Sequence, residues 1–194
     1  MASKDLNSRP KVFISYRRDD SSGHAGRIYD MLSFEFGASQ IFLDVEDIEA
    51  GTDFTMTLKD RINWCDVMLV IIGKSWLTST NAEGILRIQL ADDPVCMEIS
   101  LAMQRKIPVI PVLVGNARMP SDGELSNQLS SFATHQAIAL PDMSFRLVLA
   151  HELVPRLERI GTNRAKREKE EAKKQQGEAG PQEFEEGSNW ASIG

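Results

Sequence analysis

Three short stretches carry side chains that could do chemistry. The first is "DDPVCMEIS", residues 92–100. Asp93 can cap a helix and Pro94 suits its first turn. Val95, Ile99 and Met103 then continue as an apolar stripe, with Glu98 on its edge. A glutamate there is either a surface charge compensating the helix dipole, worth about 0.3–1 kcal/mol, or a half-buried carboxylate held for a purpose. The second stretch is "SYRRDD", residues 15–20, where Tyr16, Arg17 and Arg18 leave a short apolar run. A guanidinium there can hold an anion bidentately, or be neutralised in solvent by Asp19 and Asp20. The third is "LDVEDIEAGTDF", residues 43–54. Asp44 closes an apolar run and can hydrogen-bond hydroxyls or hold its own loop as an Asx turn. Glu46, Asp47 and Glu49, followed by Gly51, read as an exposed, hinge-permitting turn before a helix capped by Thr52 or Asp53.

Other chemistries find little support. His24, His135 and His151 are dispersed without metal-ligand spacing, so no metal site is expected. Ser75 in "IGKSWL" lacks the glycines of a nucleophile elbow, and no GxGxxG or phosphate loop is present. Cys65 and Cys96 both lie in apolar segments and are too few for a disulfide framework, which points to a reducing compartment.

The elements that must position these residues follow from periodicity. "KVFIS" (11–15), "QIFLD" (40–44), "DVMLVII" (66–72), "IPVIPVLV" (107–114) and, more weakly, "QAIAL" (136–140) read as strands. They are continuous rather than alternating, as expected of strands buried on both faces of a parallel sheet. Between them, Ala25, Ile28, Tyr29, Leu32 and Phe36 form one helical face, and Phe54, Leu58, Ile62 and Cys65 another. A last helix is expected from about Ser144 to Ile160, kinked or split by Pro155. This alternation predicts an α/β fold: a flavodoxin-like three-layer sandwich around a five-stranded parallel sheet. Ligands of such sheets bind beyond the carboxyl ends of the strands, where Ser15, Leu43, Ile72 and Val114 lie.

Residues 74–93 form an insertion of the size that is usually functional or mobile. Residues 1–10 read as an N-terminal extension and 11–160 as the domain. From Gly161 apolar periodicity is lost, and 161–194 read as a charged helix fraying into a tail or a linker to a further module. The net charge of −6 argues against direct nucleic-acid binding. No secretory signal and no apolar run of membrane-spanning length is apparent, so a soluble, cytoplasmic protein is expected.

Taken together, "KVFISYRRDDSSGHAGRIYDML", "IFLDVEDIEAGTDFTMTLKDRINWCDVMLVIIGKSWL" and "MEISLAMQRKIPVIPVLV" resemble the TIR (Toll/interleukin-1 receptor) domain family, from about Lys11 to Ile160. Within it, the chain looks like the bacterial NAD-consuming branch. The resemblance implies cleavage of the nicotinamide–ribose bond of NAD+, a substrate rather than a cofactor. Glu98 would then be the catalytic carboxylate, with Tyr16, Arg17, Arg18 and Asp44 lining the substrate cleft. It also implies self-association through the loop bearing Glu46, Asp47, Glu49 and Gly51, and a sensor module or partner beyond residue 165. Many catalytic relatives carry a tryptophan four residues before the glutamate. Pro94 stands there, and Trp76 is the alternative source of a ring. The competing reading is a non-enzymatic TIR adaptor that binds other TIR domains.

Overall fold

Strand β3, Val67–Ile72, is buried along its whole length, and this dictates the layering. In a strand successive side chains point to opposite faces, so Val67, Leu69 and Ile71 enter one core and Met68, Val70 and Ile72 another. Both faces therefore need cover. The computed structural model describes residues 6–43 and 54–178. It places β3 between β1 (Val12–Ser15) and β4 (Val109–Val114), with β2 (Ile41–Leu43) and β5 (Ile138–Leu140) outside them. The order is β2-β1-β3-β4-β5 and every pairing is parallel. All five expected strands form, beginning one or two residues later than expected.

Helix α1 (Arg18–Phe36) covers one face with Ala25, Ile28, Leu32 and Phe36. On the other face, α2 (Phe54–Trp64) contributes Leu58 and Ile62, and α3 (Pro94–Gln104) contributes Val95, Cys96, Ile99 and Ala102. The 3-10 segment Asn127–Thr134 adds Leu129 and Phe132 to that second core. Proline is unusual within a central strand because it lacks a ladder donor. Pro111 of β4 faces Val70 of β3, and the pairing of β4 with β5 begins only at Val112.

The insertion is packed rather than loose. Trp76 and Ile88 enter the second core, and a bridge joins Thr80 to Leu86. Asn81 Oδ1 accepts from the backbone N–H groups of Glu83 and Ile85 to close its turn.

The last helix departs from expectation in two ways. It is divided, but by widening: α4 (Phe145–Val148) passes through a π-helical turn, Leu149–Leu153, into α5 (Val154–Glu178). The wide turn immediately precedes Pro155, whose ring would otherwise meet the carbonyl four residues back. Secondly, α5 runs straight through Ile160, so the expected domain boundary falls in mid-helix. Gly161 is not a terminator. It lies against the N-terminal segment, where a Cβ would come 2.2 Å from the Ser8 carbonyl oxygen and 2.8 Å from Pro10 N. Arg164 then donates to the carbonyls of Asn7 and Arg9 and pairs with Asp66 at 3.5 Å. From Lys166 to Lys174 the helix is exposed.

Gly161→Ala tests this packing. Alanine in a helix interior is worth about 1 kcal/mol over glycine, but the backbone clash must be relieved. A net loss of about 1–3 kcal/mol is expected in urea denaturation. A gain in stability would refute the close packing.

Candidate functional site

The sheet order makes the connections diverge between β1 and β3, and the carboxyl edge there is where an open parallel sheet forms its ligand crevice. β1 ends at that edge with Ser15, fully buried and in register with Val70 of β3. Across from it stands Glu98, one turn into α3 and only 2% exposed. The Ser15 hydroxyl donates to Glu98 Oε2 at 2.5 Å. Glu98 is therefore not a dipole-compensating surface charge. Its carboxyl group lies within the protein, at the strand edge, held by the Ser15 hydroxyl.

The start of α3 is fixed by a second buried carboxylate. Asp93 caps the helix, accepting from Cys96 N at 3.1 Å. Its oxygens also receive both terminal nitrogens of Arg17, at 2.7 and 3.0 Å, and Nε of Arg87 at 2.9 Å. Arg17 is 0% exposed and Asp93 3%. Burial is the largest influence on the Asp93 carboxyl and pushes its pKa up. The hydrogen bonds and charge of Arg17, with the Cys96 amide, outweigh it and hold the pKa below the ordinary 3.8. Burial, aided by the neighbouring Asp93 charge, raises the Cys96 thiol to about 12, so this cysteine is an inert packing group.

The expected cleft residues separate accordingly. Arg17 turns inward to Asp93, and its guanidinium lies 5.4 Å from the centre of the Trp76 ring. Its bidentate face is occupied by a buried carboxylate. Trp76 is likewise 0% exposed and packs on Phe132 at 6.2 Å. It is a core anchor and offers no open ring in place of the one absent at Pro94. Arg18 is exposed at the first position of α1. Tyr16 is half-buried and packs against the core on the α1 face. Asp44, Glu46, Asp47, Glu49 and Gly51 lie outside the described residues, as do the cap candidates Thr52 and Asp53.

Several residues of the site carried no signal for their roles. Ser15 was visible only as a strand end. Asp93 was legible as a cap but not as the partner of Arg17, 76 positions away. Asp20 has a backbone role that the sequence did not signal. It accepts from the amides of Gly73 and Ser75 and so pins the chain leaving β3 to the first turn of α1. A Cβ on Gly73 would lie 2.5 Å from that carboxylate, so a larger residue there would displace the Asp20 side chain. Among the described residues, no group of three His, Cys, Asp or Glu side chains could hold a metal ion, and no helix is long and apolar enough to cross a membrane.

Asp93→Asn keeps a capping oxygen but strands the buried Arg17 charge, so a loss of about 3–5 kcal/mol is expected in chemical denaturation. Because the folded pKa of Asp93 is depressed, its contribution is present above the unfolded value and lost as pH falls through the folded one. The wild-type stability curve should therefore fall more steeply below about pH 4 than that of the variant. Parallel acid limbs would refute the assignment.

Comparison with known proteins follows the same lines. No curated protein matches the chain. Among solved structures, the TIR domains in the "activated Roq1 resistosome directly recognizing the pathogen effector XopQ" align at 16% identity, over 81% of this chain and 84% of that one, with a TM-score of 0.43. A prokaryotic SEFIR domain aligns at 20% identity, over 78% and 92%, with a TM-score of 0.47. A family model described as TIR domain matches residues 12–146, well over half of the sequence and every strand of the sheet. The chain belongs to the TIR domain family.

Proposed function

We propose that this TIR domain is an NAD+ nucleosidase, releasing nicotinamide and either ADP-ribose or a cyclised isomer. The observation that supports it is the buried Glu98 carboxylate held by the Ser15 hydroxyl at the carboxyl edge of the sheet. Breaking the nicotinamide–ribose bond develops oxocarbenium charge on the sugar. A carboxylate beside the ribose can stabilise that charge, orient the hydroxyls or attack the anomeric carbon. Nicotinamide departs as a neutral molecule from a cationic substrate, so no general acid is needed and one carboxylate suffices. The Ser15 hydrogen bond fixes the orientation of the Glu98 carboxyl group. With Arg17 committed to Asp93, the pyrophosphate contact passes to Arg18 in this reading, and Asp44 and Tyr16 remain candidates for the ribose and a ring.

A carboxylate 2% exposed cannot meet a ribose until it is uncovered. That is the physical reason to place self-assembly before chemistry, with the 44–53 loop as the joining surface. Such an enzyme, triggered through a module beyond residue 165, would serve bacterial anti-phage defence in the cytoplasm by depleting NAD+ or making a signal.

The second reading is a non-enzymatic adaptor, and two features favour it: Pro94 at the position of the usual aromatic, and Trp76 sealed in the core. One assay separates them. Artificially clustered protein is incubated with NAD+ and nicotinamide release is followed. Glu98→Ala should lower the rate by roughly 10²-fold or more. Ser15→Ala should lower it by about tenfold through loss of that hydrogen bond. No release from clustered wild-type protein refutes the enzyme; release undiminished in Glu98→Ala refutes the residue. Light scattering of Asp47→Arg should show smaller assemblies, and unchanged assembly would remove the loop from the interface.

A further inference from the structure

The opposite edge of the sheet holds a concentration of positive charge that the nucleosidase reading does not use. A cavity of about 680 Å³ opens at the amino end of β4, bounded by the carboxyl end of α3, the Asn127–Thr134 segment and α5. Lys106, Arg156 and Arg159 line it, and no carboxylate does. The chain as a whole carries a net charge of −6, so a lining with three cations and no acid is a local reversal of sign. Among the described residues none of these three takes part in an ion pair. By contrast, Arg17, Arg87, Arg118 and Arg164 each meet a carboxylate.

The placement of the cations is specific. Arg156, Arg159 and Asn163 recur at i, i+3 and i+7, which sets them along one face of α5. Lys106 faces them from the turn between α3 and β4, at φ 59°. That turn closes α3 through bonds from Lys106 N to Met103 O and from Ile107 N to Ala102 O. The left-handed position after such a helix is ordinarily filled by glycine, since a side chain there costs about 1–2 kcal/mol. Here a lysine occupies it, and its side chain lines the cavity.

The remaining walls are apolar. Met103, Ile107, Pro108 and Ile160 line the cavity beside the half-buried His135, whose ring also packs on Phe132 at 5.7 Å. The volume exceeds what a lone oxyanion fills and lies in the range of small-molecule sites, about 300–1,000 Å³. Three cations outside any ion pair, beside an apolar lining, suit a ligand with a polyanionic end and an apolar planar end. Two arginines and a lysine are the side chains best matched to phosphate oxygens.

We propose that this cavity is a nucleoside polyphosphate site, distinct from the Glu98 edge. The phosphates lie among Lys106, Arg156 and Arg159, and the base lies against Ile107, Pro108 and His135. The site does not depend on whether the domain cleaves NAD+, so its test uses binding alone.

The full chain is titrated calorimetrically with ATP, pyrophosphate and adenosine. Saturable ATP binding is expected, tighter than either fragment and weakening as chloride screens the charges. The double variant Arg156→Glu/Arg159→Glu should bind ATP about tenfold more weakly or worse. Arg167→Glu, on the same helix but outside the cavity, should bind as wild type. Arg159 is exposed and Arg156 half-buried, and unchanged circular dichroism checks that the double variant folds. Absence of saturable ATP binding overturns the proposal, as does equal affinity in the double variant, which would place ATP elsewhere. Adenosine binding as tightly as ATP overturns the phosphate assignment, and pyrophosphate matching ATP overturns the assignment of the base.

Discussion

The Asp93 carboxylate, closed off from solvent, is the constraint on which the carboxyl edge of the domain depends. It receives both terminal nitrogens of Arg17, Nε of Arg87 and the amide of Cys96. These groups come from three places: the end of β1, the insertion and the first turn of α3. Burying a carboxylate and a guanidinium together costs several kcal/mol of hydration per ion, repaid only when the geometry is good and further hydrogen bonds fill the remaining lone pairs. Here a bidentate pair, a second arginine and a helix cap meet those conditions. The arrangement locks register: α3 cannot rotate or slide without breaking the two bonds to Arg17 and the one to Arg87.

That lock determines how Glu98 is presented. Glu98 follows Asp93 by five residues on the same helix, and Ser15 precedes Arg17 by two on the same strand end. Holding Arg17 to Asp93 therefore also holds the Ser15 hydroxyl against Glu98, 83 positions away. The two carboxyl groups have different surroundings. Asp93 is saturated by cations and serves the fold. Glu98 is held by a hydroxyl at the edge where ligands of such sheets bind. Trp76 belongs to the structural half of this division, sealed beneath the Arg17 guanidinium.

Much of this fold is legible locally. Continuous Val and Ile runs announce strands buried on both faces, and the 3.6-residue spacing of Ala25, Ile28, Leu32 and Phe36 announces the helix that covers one of them. The cap at Asp93 and the proline at the helix start are local chemistry and are where the residues place them. The disturbance around Pro155 was equally legible, but its form was not. Whether a helix kinks, breaks or widens depends on what packs against it. The role of Gly161 was not legible either, since its missing side chain answers the approach of Ser8 and Pro10.

The sequence by itself determined the layer order and both cores, because each rests on periodicity or on neighbours a few residues apart. It also carried the motifs that place the chain among TIR domains. Only the tertiary structure decided which of two adjacent arginines is spent inside the protein. Arg17 and Arg18 have the same chemistry and leave the same strand, but consecutive side chains at a strand-to-helix turn diverge. Arg17 meets a carboxylate brought from 76 residues away, while Arg18 faces outward at the start of α1. Long-range pairing of this kind leaves no local pattern. The uncompensated cations at the amino edge are invisible in the sequence for the same reason, since only folding sets Lys106 across from Arg156 and Arg159.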